Sequence, residues 1–475
     1  MAEAQNPDIC IIGGGAAGIA AAEAAAEANV PVVLVEKDEL GGSNLAESVP
    51  AGALLAAASR YACLRDGPAF GLAAAPLQVN IARVFEHVHD VRAKAAARVS
   101  AERLTALGVT VIKAAARFRD ERTVDAGDTA IRARRFIVAA GAEPRLPDLP
   151  GLDDIEVLTP RTVFDTPRKM NHLLVLGADK RGLELAQGFA RLGVDTTVVD
   201  TGPALPDADP ELSDLVLQRL RAEGVRIRDN VAIRTVARRR GGVRIIAATD
   251  GDAEAFNIDG SHLLVAAPRV AALDALRLND AGIAHDANGI RIDKRLRTAN
   301  VRVYAVGDCV SGPDAENRAV YQAGLVTDAA LFGRRIAPDE TAFSSLMRTD
   351  PALATTGLDE TAARAGHKDV RVLRLPLNES DVALAERTTT GMIKVITTTG
   401  GQILGAAAVG REAGDIIAFW SLAIANRLNL RAVAGLSPPY PSRASASRQV
   451  AAALGGPSLT PQWQRRIIDA LRKLG

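Results

Sequence analysis

Apolar residues along the chain fall into short runs of strand length that alternate with alanine-rich or amphipathic stretches of helical length. Near the N-terminus, an apolar run at residues 9–12 is followed by a glycine turn, an alanine-rich helix and a second apolar run that ends at Glu36. The alternation returns at Leu173, in LLVLGADKRGLELAQGFARLGVDTTVVD. Buried strands that alternate with helices are typical of parallel sheets. The pattern therefore predicts an α/β protein with two strand–helix–strand units.

The same reasoning gives the remaining elements. Charged and apolar positions alternate at helical spacing over residues 79–107, which predicts one long amphipathic helix. Prolines at 144, 147 and 150 follow an apolar strand and predict a linker. From about residue 337 we expect a separate α/β unit, with strands at 370–375, 393–397 and 403–409 and helices at 413–425 and 443–454.

The first glycine turn has the G-x-G-x-x-G spacing, with Gly13, Gly15 and Gly18. Gly13 permits the tight turn, Gly15 lets a pyrophosphate approach the backbone, and Gly18 allows helix and strand to pack closely. Glu36 ends the second strand, where a carboxylate would accept the ribose hydroxyls. This context predicts dinucleotide binding; the alternative is a strand–helix turn that is merely tight.

The second glycine turn is altered. Gly177 and Gly182 take the first and third glycine positions, Asp179 takes the middle one, and Asp200 stands at the ribose position. A carboxylate beside a pyrophosphate costs on the order of a kcal/mol or more. Lys180 and Arg181 could offset this cost. Asp200 favours a free 2′-hydroxyl, hence NADH over NADPH.

Composition narrows the classes of function. A chain of 475 residues predicts two to four domains, and a net charge of +1 gives no support to a nucleic-acid partner. We find no apolar run near membrane-spanning length and no signal peptide. Cys10, Cys63 and Cys309 are scattered, which favours a reducing cytoplasm, and the six histidines form no cluster that predicts a metal site.

The C-terminal segment 461–475, PQWQRRIIDALRKLG, has apolar residues at helical spacing and a basic opposite face. Such a helix could lie on a membrane surface. The alternative is a terminal helix packed on its own protomer.

Four stretches in order resemble one family. They are the first glycine turn with Glu36, the strand end Ala139–Gly141, the second unit at Gly177, and YAVGDC from Tyr304 to Cys309. Together they resemble the pyridine nucleotide–disulfide oxidoreductases, such as lipoamide dehydrogenase and mercuric reductase. PALATTGLDETAARAG, GMIKVI and ILGAAAVGREAGDII resemble that family's dimerisation domain.

The resemblance implies a domain order and a set of cofactor residues. It implies an FAD domain in two parts, 1–155 and 269–336, an NAD(P)-like domain at 156–268, and a dimerisation domain at 337–475 that forms a homodimer. The residues implied to hold FAD are Gly13, Gly15, Gly18, Glu36, Lys37, Gly42, Ser43, Ala140, Gly141, Gly307 and Asp308. Those implied to hold NAD are Gly177, Gly182 and Asp200.

The sequence departs from the family at the redox disulfide. The family segment is typified by G-G-T-C-x-x-x-x-C, and this chain has GGSNLAESVPAGALL there. Asn44 takes the first cysteine position, and Ser48 takes the second if a one-residue gap is allowed. Asn and Ser cannot perform thiol–disulfide exchange. We therefore do not expect a disulfide reductase of the usual kind.

Other catalytic positions have changed as well. The family's H-P-T-x-x-E is YPSRAS here, so Tyr440 takes the histidine position, as a proton donor or only as a space-filler. The lysine beside the flavin is replaced by Gly52, whereas its glutamate partner is kept as Glu184. Lys180 or Arg181 could replace that cation; alternatively both are solvated charges. The candidate catalytic residues are Glu184, Lys180 and Tyr440.

We expect an FAD-dependent oxidoreductase that takes hydride from NADH and passes electrons to a small-molecule acceptor such as a quinone. The family's A-x-G-R segment is AAPR here, from Ala266 to Arg269, with Pro268 in place of the glycine. One alternative is an FAD-binding partner or sensor subunit with little turnover, favoured by Asp179, Gly52 and Pro268. Another is an enzyme that binds a different anionic substrate at the second turn.

Overall fold

The computed structural model describes residues 4–73, 78–166, 168–249, 254–266, 268–310, 316–455 and 462–473. Contacts divide the chain into a first unit, Met1–Pro206 with Glu223–Pro338, and a second unit, Asp207–Ala222 with Asp339–Gly475. The predicted boundaries at 155, 268 and 336 stay predictions. Residues 207–222, which we had assigned to the nicotinamide domain, group with the second unit.

The first sheet of the first unit is parallel and buried on both faces. Ile9 and Ile11 point into a core shared with the flanking helices, while Cys10 and Ile12 point into the opposite core. Its strands, in spatial order, are Val303–Ala305, Arg135–Val138, Ile9–Ile12, Val32–Glu36 and Val109–Lys113. Helices Ala16–Glu27 and Glu316–Phe332 cover one face. The other face packs on the sheet Ala4–Gln5, Thr129–Ile131, Thr123–Ala126 and Ala116–Asp120.

The second sheet of the first unit is also parallel. Its strands, in spatial order, are Val157–Leu158, His262–Val265, His172–Leu176, Asp195–Val199 and Arg226–Arg228. Helix Lys180–Arg191 connects two of them. An antiparallel sheet of Val231–Arg239, Gly242–Thr249 and Ala255–Gly260 packs beside it, and Ala142–Pro144 pairs with Arg269–Ala271. Both strand–helix–strand units are therefore present.

The prediction of one helix over 79–107 was wrong. The structure has two helices, Ile81–Ala97 and Ala101–Ala106. Ser100 lies between them in an extended conformation, and its side chain accepts a hydrogen bond from the Arg103 N–H at 3.3 Å. A serine N-cap starts a new helix even where the apolar spacing continues.

The second unit is an antiparallel sheet covered by helices. Its strands, in spatial order, are Ser344–Met347, Ala352–Gly357, Ile403–Gly410, Met392–Thr398 and Val370–Pro376. Its helices are Pro210–Ala222, Glu360–Gly366, Asp381–Ala385, Ala413–Ala425, Leu430–Ala434, Arg443–Ala452 and Gln462–Arg472. Trp420 is fully buried in the core. The predicted α/β class is confirmed.

Helix Pro210–Ala222 is joined to the rest of the second unit by a buried cation. The Lys394 side chain is only 3% exposed, and its Nζ lies 2.6 Å from Asp209, 3.0 Å from Glu211 and 3.0 Å from Glu360. These carboxylates outweigh the burial of the amine, so the pKa of Lys394 is raised. The cluster explains why a segment far away in sequence belongs to this unit.

Candidate functional site

The predicted FAD residues collect at one edge of the first sheet. Four parallel strands end there, and each carries part of the predicted set at its carboxyl end. The positions are Gly13, Glu36, Ala140–Gly141 and Gly307–Asp308. Ligands of open parallel sheets bind outside the carboxyl ends of the strands. The structure thus brings together residues that are far apart in sequence.

The glycines of the first turn have different physical roles. A Cβ on Gly13, whose φ is +106°, would collide with the Ala139 carbonyl, and a Cβ on Gly18 would collide with the Gly13 carbonyl. A Cβ on Gly15 would meet nothing within 4 Å. Gly13 and Gly18 are therefore required by the fold. Gly15 caps the N-terminus of helix Ala16–Glu27 and leaves that end accessible to an anion.

Glu36 holds the turn from the neighbouring strand. Its Oε2 accepts a hydrogen bond from the Gly14 N–H at 2.5 Å, and its Oε1 accepts one from the Asp38 N–H at 2.8 Å. Gly13, Glu36, Lys37 and Ala140 line one surface cavity. Lys37 also forms an ion pair with Glu143 at 2.5 Å, between two half-exposed side chains. Such a surface pair contributes little to stability.

The loop after Glu36 is hydrogen-bonded to the first glycine turn. The Gly41 N–H donates to the Gly14 carbonyl at 2.8 Å. Gly42 has a φ of +53°, and a Cβ there would lie 3.0 Å from the Gly15 Cα. Ser43 follows, and then a π-helical turn, Asn44–Ser48, leads into helix Val49–Arg65. The segment where the family carries its disulfide therefore begins against the predicted pyrophosphate site.

Asp308 has a partner that the sequence did not reveal. Its Oδ2 lies 3.4 Å from Arg269 Nη1, and the other Arg269 nitrogen, Nη2, donates to the Ala142 carbonyl. Gly307, with a φ of +74°, donates its N–H to the Gln322 side-chain oxygen at 3.1 Å. Arg269 ends the altered segment AAPR, and its contact with Asp308 across 39 residues has no local signal in the sequence.

A second residue that the sequence reasoning missed is Glu47. It lies on the π-helical turn and is 4% exposed, and no described residue provides a hydrogen-bond partner for its buried Oε1. Its signal in the sequence is a single charge in the otherwise uncharged run from Leu40 to Ser59.

The residues at this edge fit FAD. Gly15 caps a helix N-terminus, which suits a pyrophosphate, and the carboxylates Glu36 and Asp308 end neighbouring strand regions, where the predicted ribose and ribityl contacts would need acceptors. Glu47 Oε1 and Arg269 Nε are buried polar atoms that have no hydrogen-bond partner among the residues that the structure describes. Buried polar groups normally have partners, so both atoms are consistent with a bound polar ligand.

The second turn has the same backbone geometry. Gly177 has a φ of +113°, and Asp200 accepts hydrogen bonds from the Ala178 N–H at 2.6 Å and the Gly202 N–H at 2.9 Å. Asp179 caps helix Lys180–Arg191 and accepts a hydrogen bond from the Gly182 N–H at 2.8 Å. Burial raises the pKa of Asp179, against the opposing effects of that N–H and of Arg181. A carboxylate therefore occupies the helix end where a phosphate would bind.

The three candidate catalytic residues lie in different places. Glu184 is buried and Lys180 half-buried on helix Lys180–Arg191 of the first unit. Tyr440, in the second unit, is 75% exposed, and its hydroxyl donates to Asp381 Oδ2 at 2.8 Å. That hydrogen bond raises the pKa of Tyr440. The catalytic roles stay predictions.

The cysteines differ in accessibility. Cys10 and Cys309 are buried, which raises the pKa of their thiols to about 12 and about 11, and Cys63 is exposed. The turn Asn44–Ser48 contains none. In the part of the chain that the structure describes, no group of His, Cys, Asp and Glu could hold a metal ion.

Comparisons with known proteins agree with this architecture. The family model described as pyridine nucleotide-disulphide oxidoreductase matches residues 7–323, and the model of its dimerisation domain matches residues 343–451. A mercuric reductase of Streptomyces lividans is 31% identical over 457 residues, covering 94% of this chain and 95% of that protein. A dihydrolipoyl dehydrogenase of Geobacillus stearothermophilus is 29% identical over 94% of this chain and 96% of its own. The crystal structure of LpdA from Mycobacterium tuberculosis is 26% identical, covers 95% of this chain and 99% of its own, and has a TM-score of 0.86.

Proposed function

Because the chain belongs to the pyridine nucleotide-disulphide oxidoreductase family, whose cofactors are FAD and NAD(P)H, we propose that it passes electrons from NADH to a non-disulfide acceptor. A quinone is the class of acceptor that we expect. The family's members are oxidoreductase enzymes, and the match to the dimerisation domain supports a homodimer.

The observation that carries this proposal is the chemistry of the turn Asn44–Ser48. An amide and a hydroxyl stand at its two ends, where the family's disulfide would lie, and neither forms a thiolate. Cys10 and Cys309 are poor substitutes, because burial raises their thiol pKa values far above neutral pH. Cys63 is accessible, but it lies on helix Val49–Arg65 with no cysteine neighbour in sequence. No pair suited to disulfide exchange follows from these positions.

The residues of the first unit would hold FAD, which when bound supplies the hydride and electron-transfer chemistry. The N-terminus of helix Ala16–Glu27 would bind the pyrophosphate, and Glu36 would bind the adenosine ribose. At the second turn, Asp200 favours a ribose with a free 2′-hydroxyl, which supports NADH over NADPH.

We also propose that Glu184 and Lys180 act near the flavin and that Tyr440 donates a proton. Glu184 is 4% exposed, and Arg181 lies beside Lys180 in the first turn of the same helix. The test compares the flavin potential and the hydride-transfer rate in Lys180→Ala and Arg181→Ala. A lowered rate in either variant would support a cation beside Glu184, and unchanged values in both would oppose it.

Anaerobic mixing with NADH and NADPH tests the main proposal. We expect NADH to bleach the visible flavin band, and an added quinone to restore it. Cysteines would be counted in parallel by alkylation of the denatured protein before and after reduction. Three alkylated thiols in both states would support a non-disulfide path, whereas two thiols that appear only after reduction would refute it.

Asp179 favours a second candidate, an FAD-binding partner or sensor subunit with little turnover. Its carboxylate occupies the N-terminus of helix Lys180–Arg191 and already accepts the Gly182 N–H. The same mixing experiment separates the two candidates. Retained FAD that neither nucleotide bleaches would support the second candidate and remove the first.

Finally, we propose that the terminal helix Gln462–Arg472 binds an anionic membrane surface. No described helix is long and apolar enough to cross a membrane. Pro461, Leu474 and Gly475 of the predicted segment lie outside the described residues. Within the helix, Ile467, Ile468 and Leu471 are 44–61% exposed. Nearby basic residues suit phosphatidylglycerol headgroups.

Co-sedimentation with vesicles tests this contact. We expect binding to phosphatidylglycerol vesicles, weak binding to phosphatidylcholine vesicles, and loss of binding in the Ile467→Glu, Leu471→Glu double variant. Equal sedimentation of this variant and the unchanged protein would contradict the proposal.

A further inference from the structure

The turn Asn44–Ser48 carries a buried carboxylate whose function the proposal above leaves open. Glu47 is 4% exposed, and its Oε1 is buried and has no hydrogen-bond partner within the described part of the chain. An ionised carboxylate is costly to bury without a partner. A leucine or valine at this position would avoid that cost. The presence of Glu47 therefore points to an interaction that the protein alone does not supply.

The backbone brings this turn to the predicted cofactor site. Gly41 donates its N–H to the Gly14 carbonyl at 2.8 Å, and Gly42 passes close to the Gly15 Cα. The Leu45 N–H then donates to the Gly41 carbonyl at 3.3 Å. Only four residues separate Gly42 from Glu47, so the carboxylate stays within a short reach of the first glycine turn.

The other end of the turn leads toward the second dinucleotide unit. Helix Val49–Arg65 packs on helix Lys180–Arg191, where a Cβ on Gly188 would lie 2.9 Å from Leu54 Cδ2. The turn Asn44–Ser48 thus connects two segments. On one side is the loop that is hydrogen-bonded to the first glycine turn, and on the other is helix Val49–Arg65, which packs on the helix that follows the second glycine turn. Single π-helical turns are frequent at functional sites.

We propose that Glu47 is a flavin-contacting residue whose Oε1 faces bound FAD and whose negative charge lowers the reduction potential of the flavin. A carboxylate beside the flavin disfavours the added electrons of the reduced form, because like charges repel strongly in a site of low dielectric constant. The inference depends on FAD as the cofactor and is independent of the acceptor.

The test compares the flavin midpoint potential of the unchanged holoprotein with that of Glu47→Gln, which keeps the shape and removes the charge. Dithionite is the reductant, so neither NADH binding nor acceptor turnover enters the measurement. We expect the equilibrium constant for flavin reduction to rise tenfold or more, which is about 30 mV for a two-electron couple. Glu39→Gln is the matched control, because Glu39 lies on the same loop with its side chain 76% exposed; we expect no change there.

The inference is overturned if the equilibrium constant for flavin reduction in Glu47→Gln differs less than twofold from that of the unchanged protein. This holds provided that the variant has full FAD content and an unchanged melting temperature. If Glu47→Gln fails to fold, infrared difference spectra of the unchanged protein with isotope-labelled glutamate replace it. A buried carboxylate band that shifts on flavin reduction, and that moves in Glu47→Asp, supports the contact. Absence of any such band overturns it. Neither of these negative results would contradict electron transfer to a non-disulfide acceptor, because that proposal is tested separately by counting thiols.

Discussion

The substitution Asp179→Asn tests what the altered second turn does to nucleotide binding. Asp179 Oδ1 accepts the Gly182 N–H at 2.8 Å, and an asparagine oxygen can accept the same hydrogen bond. Asparagine and aspartate are equally good N-caps. The change therefore removes the charge and keeps the cap, so we expect the melting temperature of the protein to stay the same while NADH binds more tightly.

The expected gain in NADH affinity follows from the charges near the pyrophosphate. Two like charges at roughly 6 Å repel by about 2.8 kcal/mol at an effective dielectric constant of about 20. Arg181 acts on Asp179 with the opposite sign. If the cation cancels about half of the repulsion, about 1.4 kcal/mol remains, which is roughly tenfold in the dissociation constant for NADH.

The pH dependence gives an independent check. Burial raises the pKa of Asp179, and a bound pyrophosphate raises it further, so NADH binding takes up a proton at this residue. The affinity of the unchanged protein for NADH should therefore increase as the pH falls through the pKa of Asp179. In Asp179→Asn this part of the pH dependence should disappear.

The assay is isothermal titration of the FAD-loaded protein with NADH at several pH values and at low ionic strength. Asp179→Gly serves as the comparison, because it removes the charge and the cap together, at a cost in stability of only a few tenths of a kcal/mol. If Asp179→Asn and Asp179→Gly both bind NADH within about twofold of the unchanged protein, about 0.4 kcal/mol, the electrostatic reasoning is refuted.

Three further outcomes are expected. Gly15→Ala should weaken FAD retention without lowering the melting temperature of the FAD-free protein, whereas Gly18→Ala should lower both, because only the Cβ at Gly18 collides with the protein backbone; visible absorbance and melting curves of the FAD-free protein distinguish them. Iodoacetamide should label Cys63 first in the native protein, and peptide mass mapping that finds another site labelled as fast would contradict the burial pattern. Lys394→Met should destabilise the second unit by about 2–3 kcal/mol, below the usual 3–5 because its carboxylate partners are partly exposed. Urea unfolding followed by tryptophan fluorescence measures this, since both tryptophans belong to that unit, with exposed Lys368→Met as the control.

Local patterns in the sequence predicted the parts of the fold that local forces determine. The turn at Gly13 was predictable because its strand, helix and acid lie within about 30 residues. Helix Ala413–Ala425 was predicted with its observed bounds, since its apolar spacing is continuous. The break at Ser100 was missed because apolar periodicity was given more weight than a capping residue.

Long-range pairs in the structure were not predictable in this way. Lys394 meets Asp209 across 185 residues, and Arg269 meets Asp308 across 39. In both cases no local spacing predicts the partner of the charged residue, which is determined only once the sheets are assembled. Glu47 has a local signal, a lone charge in an uncharged run, but its burial and its unpaired oxygen emerge only from packing.

The two glycine turns show which positions the fold determines and which positions the ligand determines. Gly177 and Gly182 are kept in the second turn where a Cβ would collide with the carbonyls of Ala266 and Gly177. The middle position has no such constraint, since a Cβ on Gly15 in the first turn meets nothing within 4 Å. An aspartate can therefore enter there, as Asp179, without disturbing the strand–helix packing. It follows that the second turn can be altered for binding while its architecture persists.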